Sequence, residues 1–322
     1  MSSIRLQALL SLPPSLRALA AKRLLPLTIS QLHPQSQPNK IRLQSTSAHP
    51  SSDPSPSSSV NQTEVSHFNQ LASSWWDPQG SSRLLHLMNP LRHDFIQQCL
   101  QNEARDPRKK IHYLDVGCGG GIFAESAARK AHTASVTAID PTPEVIAVAR
   151  KHQRQDPRLL EPGRLEYKNI AIEDLPQRTD EEGEGGFGII TLFEVIEHIQ
   201  RPTPFLERCL THLKPGGWLI GSTIARTNTS WFTTKFMAED VLRLVPRGTH
   251  DWRQYIQPQE LREWARVNGE LEFDGRPGSE GGGGGWEVMG VVYVPGFGWR
   301  RVQGSEAWGN YFFGVRKKCG DE

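Results

Sequence analysis

Tyr113-Leu114-Asp115-Val116-Gly117-Cys118-Gly119-Gly120-Gly121 sets an apolar strand, an acid and alternate glycines ahead of a helical pattern. Glycine is required where a chain reverses sharply and lets a ligand approach bare backbone, which a Cβ would obstruct. A second apolar run, Ser135 to Ile139, ends in Asp140, 23 residues beyond Gly117. An acid about 20 residues on is where a ribose diol finds its acceptor. Turn and acid together point to an adenosine ligand.

The glycine spacing narrows the ligand further. A dinucleotide fingerprint GxGxxG begun at Gly117 needs glycine at 122, where Ile122 stands. What the chain carries from Asp115 to Gly121 is DxGxGxG, the pattern of doubly wound S-adenosylmethionine-dependent methyltransferases. That cofactor has no phosphate, so no helix end must be kept free for pyrophosphate. Asp115 is expected near its methionine part. An NAD-dependent oxidoreductase is the rival class, opposed by Ile122. A subunit that keeps the fold without the chemistry is opposed by the retention of Asp115, Asp140 and the acidic run described below.

Outward from this turn the periods alternate as in βαβ units. Strands are expected at Ile111–Val116, Val136–Asp140, Leu165–Ile172, Phe187–Phe193 and Trp218–Thr223, with helices at Phe123–Lys130, Pro143–Arg154 and Thr203–Leu213. Phe187–Phe193 is almost wholly apolar and so reads as buried on both faces. Lys214-Pro215-Gly216-Gly217 is read as the stop of the third helix. Val288–Val294 and Tyr311–Val315 read as two strands of an antiparallel edge. The expected fold is therefore α/β: a doubly wound, mostly parallel class I methyltransferase sheet with an antiparallel edge. Thr179–Gly186 and Gly275–Gly285 are glycine-rich loop inserts, which cost little stability.

The first 60 residues differ from the rest. They hold no acid before Asp53 but six basic residues, Arg5, Arg17, Lys22, Arg23, Lys40 and Arg42, interleaved with Leu6, Leu9, Leu10, Leu12 and Leu16. This is the composition of a mitochondrial transit peptide, followed by a Ser/Pro-rich linker at Ser45–Ser59 with too little apolar surface to order itself. Residues 1–60 are expected to be leader and linker, and 61–322 the methyltransferase domain. Subtracting those six from 37 basic residues leaves 31 against 35 acids, a shift from +2 to about −4. That balance opposes nucleic acid as the main partner. Cys99, Cys118, Cys209 and Cys319 show no CxxC spacing, against a zinc knuckle or disulfide framework. No apolar run reaches the 18 or so residues of a membrane span.

Phe193-Glu194-Val195-Ile196-Glu197-His198 follows the fourth strand, at the carboxyl end where open α/β sheets bind ligands. If a helix starts at 194, Glu194, Glu197 and His198 share one face at i, i+3 and i+4 and can hold a divalent cation. Acids in a first helical turn are also stabilised by the dipole alone. A histidine ligand leaves manganese and zinc open beside magnesium. Without a metal, His198 or His250 is the candidate general base. Met237, Val241, Leu244 and Val245 recur at helical spacing near Trp231, Phe232 and Phe236, fitting either an interfacial helix or ordinary core.

Over about Val65 to Val315 the chain resembles the ubiquinone-biosynthesis O-methyltransferases. The likeness rests on His67-Phe68 with Trp75-Trp76-Asp77, Leu85-His86, Asn89-Pro90-Leu91-Arg92, the Asp115–Gly121 turn, Glu194–His198, Leu213–Gly217 and Val245-Pro246-Arg247-Gly248-Thr249-His250-Asp251-Trp252. The resemblance implies methylation of catechol-type polyprenyl intermediates with S-adenosylmethionine. It puts Arg92, Gly117, Asp140 and Phe193 on cofactor-contacting positions, and Glu194, Glu197 and His198 on positions that bind Mg2+. From the residue alone, Arg92 reads either as a surface ion pair or as a bidentate clamp on the methionine carboxylate. The resemblance further implies peripheral contact with the matrix side of the mitochondrial inner membrane and membership of a multi-protein ubiquinone-biosynthesis complex.

Overall fold

In a computed structural model, residues 58–80, 82–101, 109–179, 185–227, 254–273 and 284–319 are described. They all belong to one unit, Asp53–Glu322. The leader up to residue 57, the Val245–Trp252 run with His250, the Trp231–Val245 amphipathic stretch and most of the Gly275–Gly285 insert lie outside the described residues.

The strands are β1 (Ile111–Val116), β2 (Thr133–Ile139), β3 (Leu165–Lys168), β4 (Phe187–Phe193), β5 (Leu213–Ile224), β6 (Trp286–Val294), β7 (Gly298–Arg301) and β8 (Asn310–Arg316). They form one sheet in the order β3-β2-β1-β4-β5-β8-β6-β7. The first five are parallel and the last three join antiparallel. The helices are α1 (Gln62–Leu71), α2 (Arg83–Leu100), α3 (Ile122–Ala128), α4 (Pro143–Gln153), α5 (Pro202–Thr211) and α6 (Pro258–Val267).

The alternation of side chains along each strand builds a core on both faces. Tyr113, Val136, Ile189, Ile220 and Phe312 pack on one side with Phe95 of α2, Ala124 of α3 and Ile146 of α4. Leu114, Ile139, Ile190, Leu219 and Phe313 pack on the other with Leu206 of α5 and Leu261 of α6. This is the doubly wound sheet expected from the alternating periods. The order in which strands are added reverses between β1 and β4, which opens a crevice at their carboxyl ends.

Several boundaries differ from expectation. β3 stops at Lys168, and Ile172–Asp174 is a 3-10 turn instead of its continuation. α5 ends at Thr211, and Leu213–Gly217 is the lead-in to β5 instead of a helix stop. The pairing shifts there, from Phe187 with Leu213 to Ile189 with Trp218, because Gly216 at φ +70° bends the strand and donates its N–H to Lys317 O. The antiparallel edge has a third strand, β7, which returns after the Pro295–Phe297 turn.

The run after β4 departs most. No α-helix starts at Glu194. Its backbone stands at φ +58°, and its N–H continues the ladder to Ser222 O, so only Ile196–His198 forms a 3-10 turn. Glu194, Glu197 and His198 therefore do not share a helical face.

Candidate active site

A cavity of about 580 Å3 opens at the carboxyl ends of β1, β2 and β4. Its walls include Gly117, Gly119, Asp140, Phe193, Glu194, Glu197 and His198, so six of the seven residues singled out from the sequence, together with Gly119, face one space. Arg92 is not among the lining residues.

Gly117, Gly119 and Gly121 have φ of +69°, +51° and +89°, a region that favours glycine. What a side chain would strike there is protein. A Cβ on Gly119 would lie 2.2 Å from Cζ2 of Trp75, and one on Gly120 2.3 Å from Cδ1 of the same ring. The bare turn thus admits an indole from the chain's own N-terminal segment. Trp76 fastens that segment: its Nε1 donates to Gly120 O at 2.8 Å, and its ring stacks on His152 at 3.4 Å. Nε1 of Trp75 is buried with no partner among the described residues.

Asp140 closes β2 and is buried. Its Oδ2 accepts from Gly119 N–H at 3.0 Å and its Oδ1 from Thr142 N–H at 2.9 Å. A carboxylate offers about four acceptor positions, so after these two N–H groups and the Thr142 side chain about one is left for a ligand hydroxyl. Burial raises its pKa, against the pull of those three donors. Asp115 is not at the cavity wall. It lies between β1 and β4, where Thr191 Oγ1 donates to its Oδ1 at 2.7 Å, and burial pushes its pKa up to about 7. Its role here is to tie the switch-point strands together.

Arg92 follows from the pattern of α2. Met88, Arg92, Phe95, Ile96 and Cys99 are that helix's buried positions, spaced on one face, so the arginine is carried into the core. At 4% exposure it is no surface ion pair. Its guanidinium carbon sits 4.9 Å from the centroid of the Phe193 ring, and its Nε has no hydrogen-bond partner among the described residues. Burial lowers its pKa, opposed by the nearby charges of Glu194 and Asp115. A buried cation with an unmet donor, one ring behind the cavity wall, suits an anionic ligand group more than a structural pair.

At the far wall, Ser222 Oγ donates to Glu194 Oε1 at 2.6 Å and Thr223 Oγ1 to Glu197 Oε2 at 2.9 Å. Nδ1 of His198 lies 2.9 Å from Oε2 of Glu64, in the first turn of α1. Glu197 is held well above the usual carboxylate range by burial and then by the like charge of Glu194. For His198, burial opposes the charged ring, but Glu64, Glu197 and Glu194 outweigh it and raise its pKa. Glu64 escaped the sequence reading because an acid in a first helical turn looks like dipole stabilisation. Its one signal was its position just before His67-Phe68 in a motif-bearing segment.

The donor types of Glu194, Glu197 and His198 suit a divalent cation. The contacts just described engage Glu194 Oε1, Glu197 Oε2 and His198 Nδ1, the other donor atom of each side chain being Oε2, Oε1 and Nε2. Their arrangement does not yet suit one, since among the described residues no three His, Cys, Asp or Glu side chains come together as a ligand set.

A family model described as a methyltransferase domain matches residues 86–269. The mitochondrial ubiquinone biosynthesis O-methyltransferase of Candida albicans is 37% identical over 297 residues, 80% of this chain and 86% of that protein. The mitochondrial counterpart of Saccharomyces cerevisiae is 34% identical, covering 81% and 89%. Among solved structures, the plantazolicin methyltransferase BpumL with SAH matches with a TM-score of 0.51, 15% identity and coverage of 80% and 98%, a likeness of fold. Sheet order, glycine turn and matched domain define an S-adenosylmethionine-dependent methyltransferase, and the chain is an enzyme of that class. Within it, the chain belongs to the ubiquinone biosynthesis O-methyltransferases.

Proposed function

We propose that this enzyme methylates a phenolic hydroxyl of catechol-type polyprenyl rings, 3,4-dihydroxy-5-polyprenylbenzoate and demethylubiquinol. The observation that carries the reading is the single cavity. The adenosine-side residues Gly117 and Asp140 occupy one wall, His198 another, and apolar Val291, Tyr293 and Trp299 continue the lining toward the β6–β7 hairpin. A charged donor, an acidic hydroxyl and a prenyl tail each find matching surface.

Methyl transfer is a direct displacement. The C–S bond breaks with its electron pair going to sulfur, the O–CH3 bond forms, and the phenolic proton must leave. With a pKa near 10 only about one phenol in a thousand is ionised at pH 7. In this reading Nε2 of His198 takes that proton, a contribution of typically 10²- to 10⁴-fold. Holding donor and acceptor in line contributes on the order of 7–11 kcal/mol in favourable cases. Phe193 and Trp75 line the cavity with aromatic surface.

A divalent cation, Mg2+ first, belongs to the same proposal, with Glu194, Glu197 and His198 as its holders after the two carboxylates turn from Ser222 and Thr223. Supporting it is the buried Glu197 carboxyl with the half-buried Glu194 as a like-charged neighbour, a situation a cation would relieve. When bound, such an ion lowers the pKa of a phenol as a Lewis acid. Residues 1–60 are proposed as a mitochondrial leader and linker, in keeping with the mitochondrial relatives. The mature enzyme would then work at the matrix side of the inner membrane, in a multi-protein assembly of its pathway. Import of a 1–60 fusion into isolated mitochondria checks the leader, and a fusion left outside removes it.

The decisive experiment is mass spectrometry of products after incubation with labelled S-adenosylmethionine and a short-chain prenyl catechol, with chelator and with added Mg2+. An O-methylated product is expected, increased by the ion. No labelled product overturns the substrate assignment, and turnover indifferent to chelator overturns the metal.

A further inference from the structure

We infer that Glu64 is a positioning residue for methyl transfer: from α1 its carboxylate holds Nδ1 of His198 and so leaves Nε2 as the lone pair presented to the acceptor. The inference rests on the reading of His198 given above and extends it to a residue outside the sheet.

The geometry is specific. Glu64 Oε2 and His198 Nδ1 are 2.9 Å apart, with His198 15% and Glu64 26% exposed at the side chain. A carboxylate accepts only, so a contact this short requires hydrogen on Nδ1. In the neutral ring the remaining lone pair is then on Nε2. Phe68, one helical turn after Glu64, meets the same imidazole edge-to-face at 5.2 Å and limits its rotation. Ring and carboxylate are thus held by two residues of one helix face.

That helix also roofs the cavity. Glu64, Val65, Phe68 and Leu71 of α1 all line it. Asn61 caps α1 by accepting from Thr63 N–H, and Ser59 N–H donates to Glu173 Oε1 in the Ile172–Asp174 turn. Seating α1 over the cofactor space and orienting His198 are consequently one event. The same orientation serves whether Nε2 takes a proton or binds a cation, since a histidine ligand also depends on the carboxylate behind it.

Two variants and two readouts test this. In Glu64→Ala, kcat is expected to fall about 10- to 100-fold, with KM for S-adenosylmethionine changed less than about threefold. Glu64→Gln, whose amide oxygen can still accept from Nδ1–H, is expected to recover most of the loss. A roof-pinning role alone would instead raise KM for the cofactor and leave kcat unchanged, which overturns the inference. Nitrogen-15 NMR of the His198 ring in ligand-free protein, under alkaline conditions where the ring is neutral, supplies the second readout. The wild type and Glu64→Gln should show the Nδ1–H tautomer and Glu64→Ala the Nε2–H tautomer. The same tautomer in wild type and Glu64→Ala overturns the inference. Because this spectrum needs no acceptor, it stands even if the prenyl catechol proves not to be the substrate.

Discussion

At the scale of single residues, Arg92 shows how burial separates two readings that composition leaves equal. A guanidinium on the surface contributes little, whereas one with an unmet Nε beneath Phe193 costs folding free energy unless a ligand repays it. Arg92→Met keeps the length and the apolar face of α2 while removing the charge. The variant is expected to unfold at the same temperature as wild type or higher, and to bind S-adenosylhomocysteine at least tenfold more weakly by calorimetry. A drop in melting temperature with affinity intact would make Arg92 structural. Glu194 belongs at this scale too. Its φ of +58° makes it the one non-glycine residue with positive φ among the described residues. Such strain costs of order 1–3 kcal/mol and persists where neighbours over-determine it. Ser222 does so here, accepting the Glu194 N–H at its carbonyl and donating its hydroxyl to Oε1.

At the scale of elements, α2 and α3 are joined by a polar clasp beside the cofactor turn. Ser126 Oγ donates to Phe123 O, accepts from Asn89 Nδ2 at 2.9 Å and lies 2.7 Å from His93 Nε2. Burial, and then Lys130, His132 and Arg92, push His93 down to about 4. The unfolded chain therefore takes up this proton first, near pH 6.5, while the folded chain resists until about 4. Stability attributable to His93 is full above pH 6.5 and falls as pH drops through that window, by about 3 kcal/mol at most. The difference in urea-unfolding free energy between wild type and His93→Gln should shrink toward acid over that range. A difference that stays constant from pH 7 to 4 would show that His93 titrates normally. Elements were legible where apolar periodicity is strong: β1 and β4 have their expected bounds, and α4 differs by one residue at its end. β7 was missed because a four-residue edge strand, Gly-Trp-Arg-Arg, has too little pattern to register, and it exists only because β6 is beside it. Lys214–Gly217 reads as a stop, and only the pairing of Leu213 and Trp218 with β4 on either side of it, with the Gly216 and Gly217 hydrogen bonds to Lys317, carries it into the strand.

At the scale of the whole molecule, the exposed large apolar side chains of the described residues include Leu87, Leu160 and Val267 on other elements and a group of three near the β6–β7 turn and the cavity rim. Phe297 at the β6–β7 turn is 70% exposed and Trp308, on the cavity rim, 55%. Val294 beside Phe297 is also exposed, and so are Arg300 and Arg301 of β7. Apolar tips flanked by arginines suit an anionic bilayer, where binding scales with buried apolar area plus charge attraction. Val294→Ser/Phe297→Ser, which leaves the cavity lining intact, is expected to lower partitioning onto phosphatidylglycerol-containing liposomes about tenfold, with methylation of a short, water-soluble acceptor unchanged. Flotation identical to wild type would show that this edge binds no bilayer. No described helix is long and apolar enough to cross a membrane.

The sequence by itself determined the class of fold and the strand ends at which the candidate cavity opens. Strand periodicity, the Asp115–Gly121 turn and Asp140 are local patterns, and the rule that open sheets bind ligands at strand carboxyl ends converts them into a place. Residues near one another along the chain can be read that way because backbone geometry dictates which directions they face. Only the tertiary structure decided that the glycines make room for Trp75, that Arg92 is buried, that Glu194 breaks the expected helix, and that Glu64 stands behind His198. Those depend on contacts between segments tens to more than a hundred residues apart, and no local periodicity records which distant side chain will fill a gap or satisfy a proton.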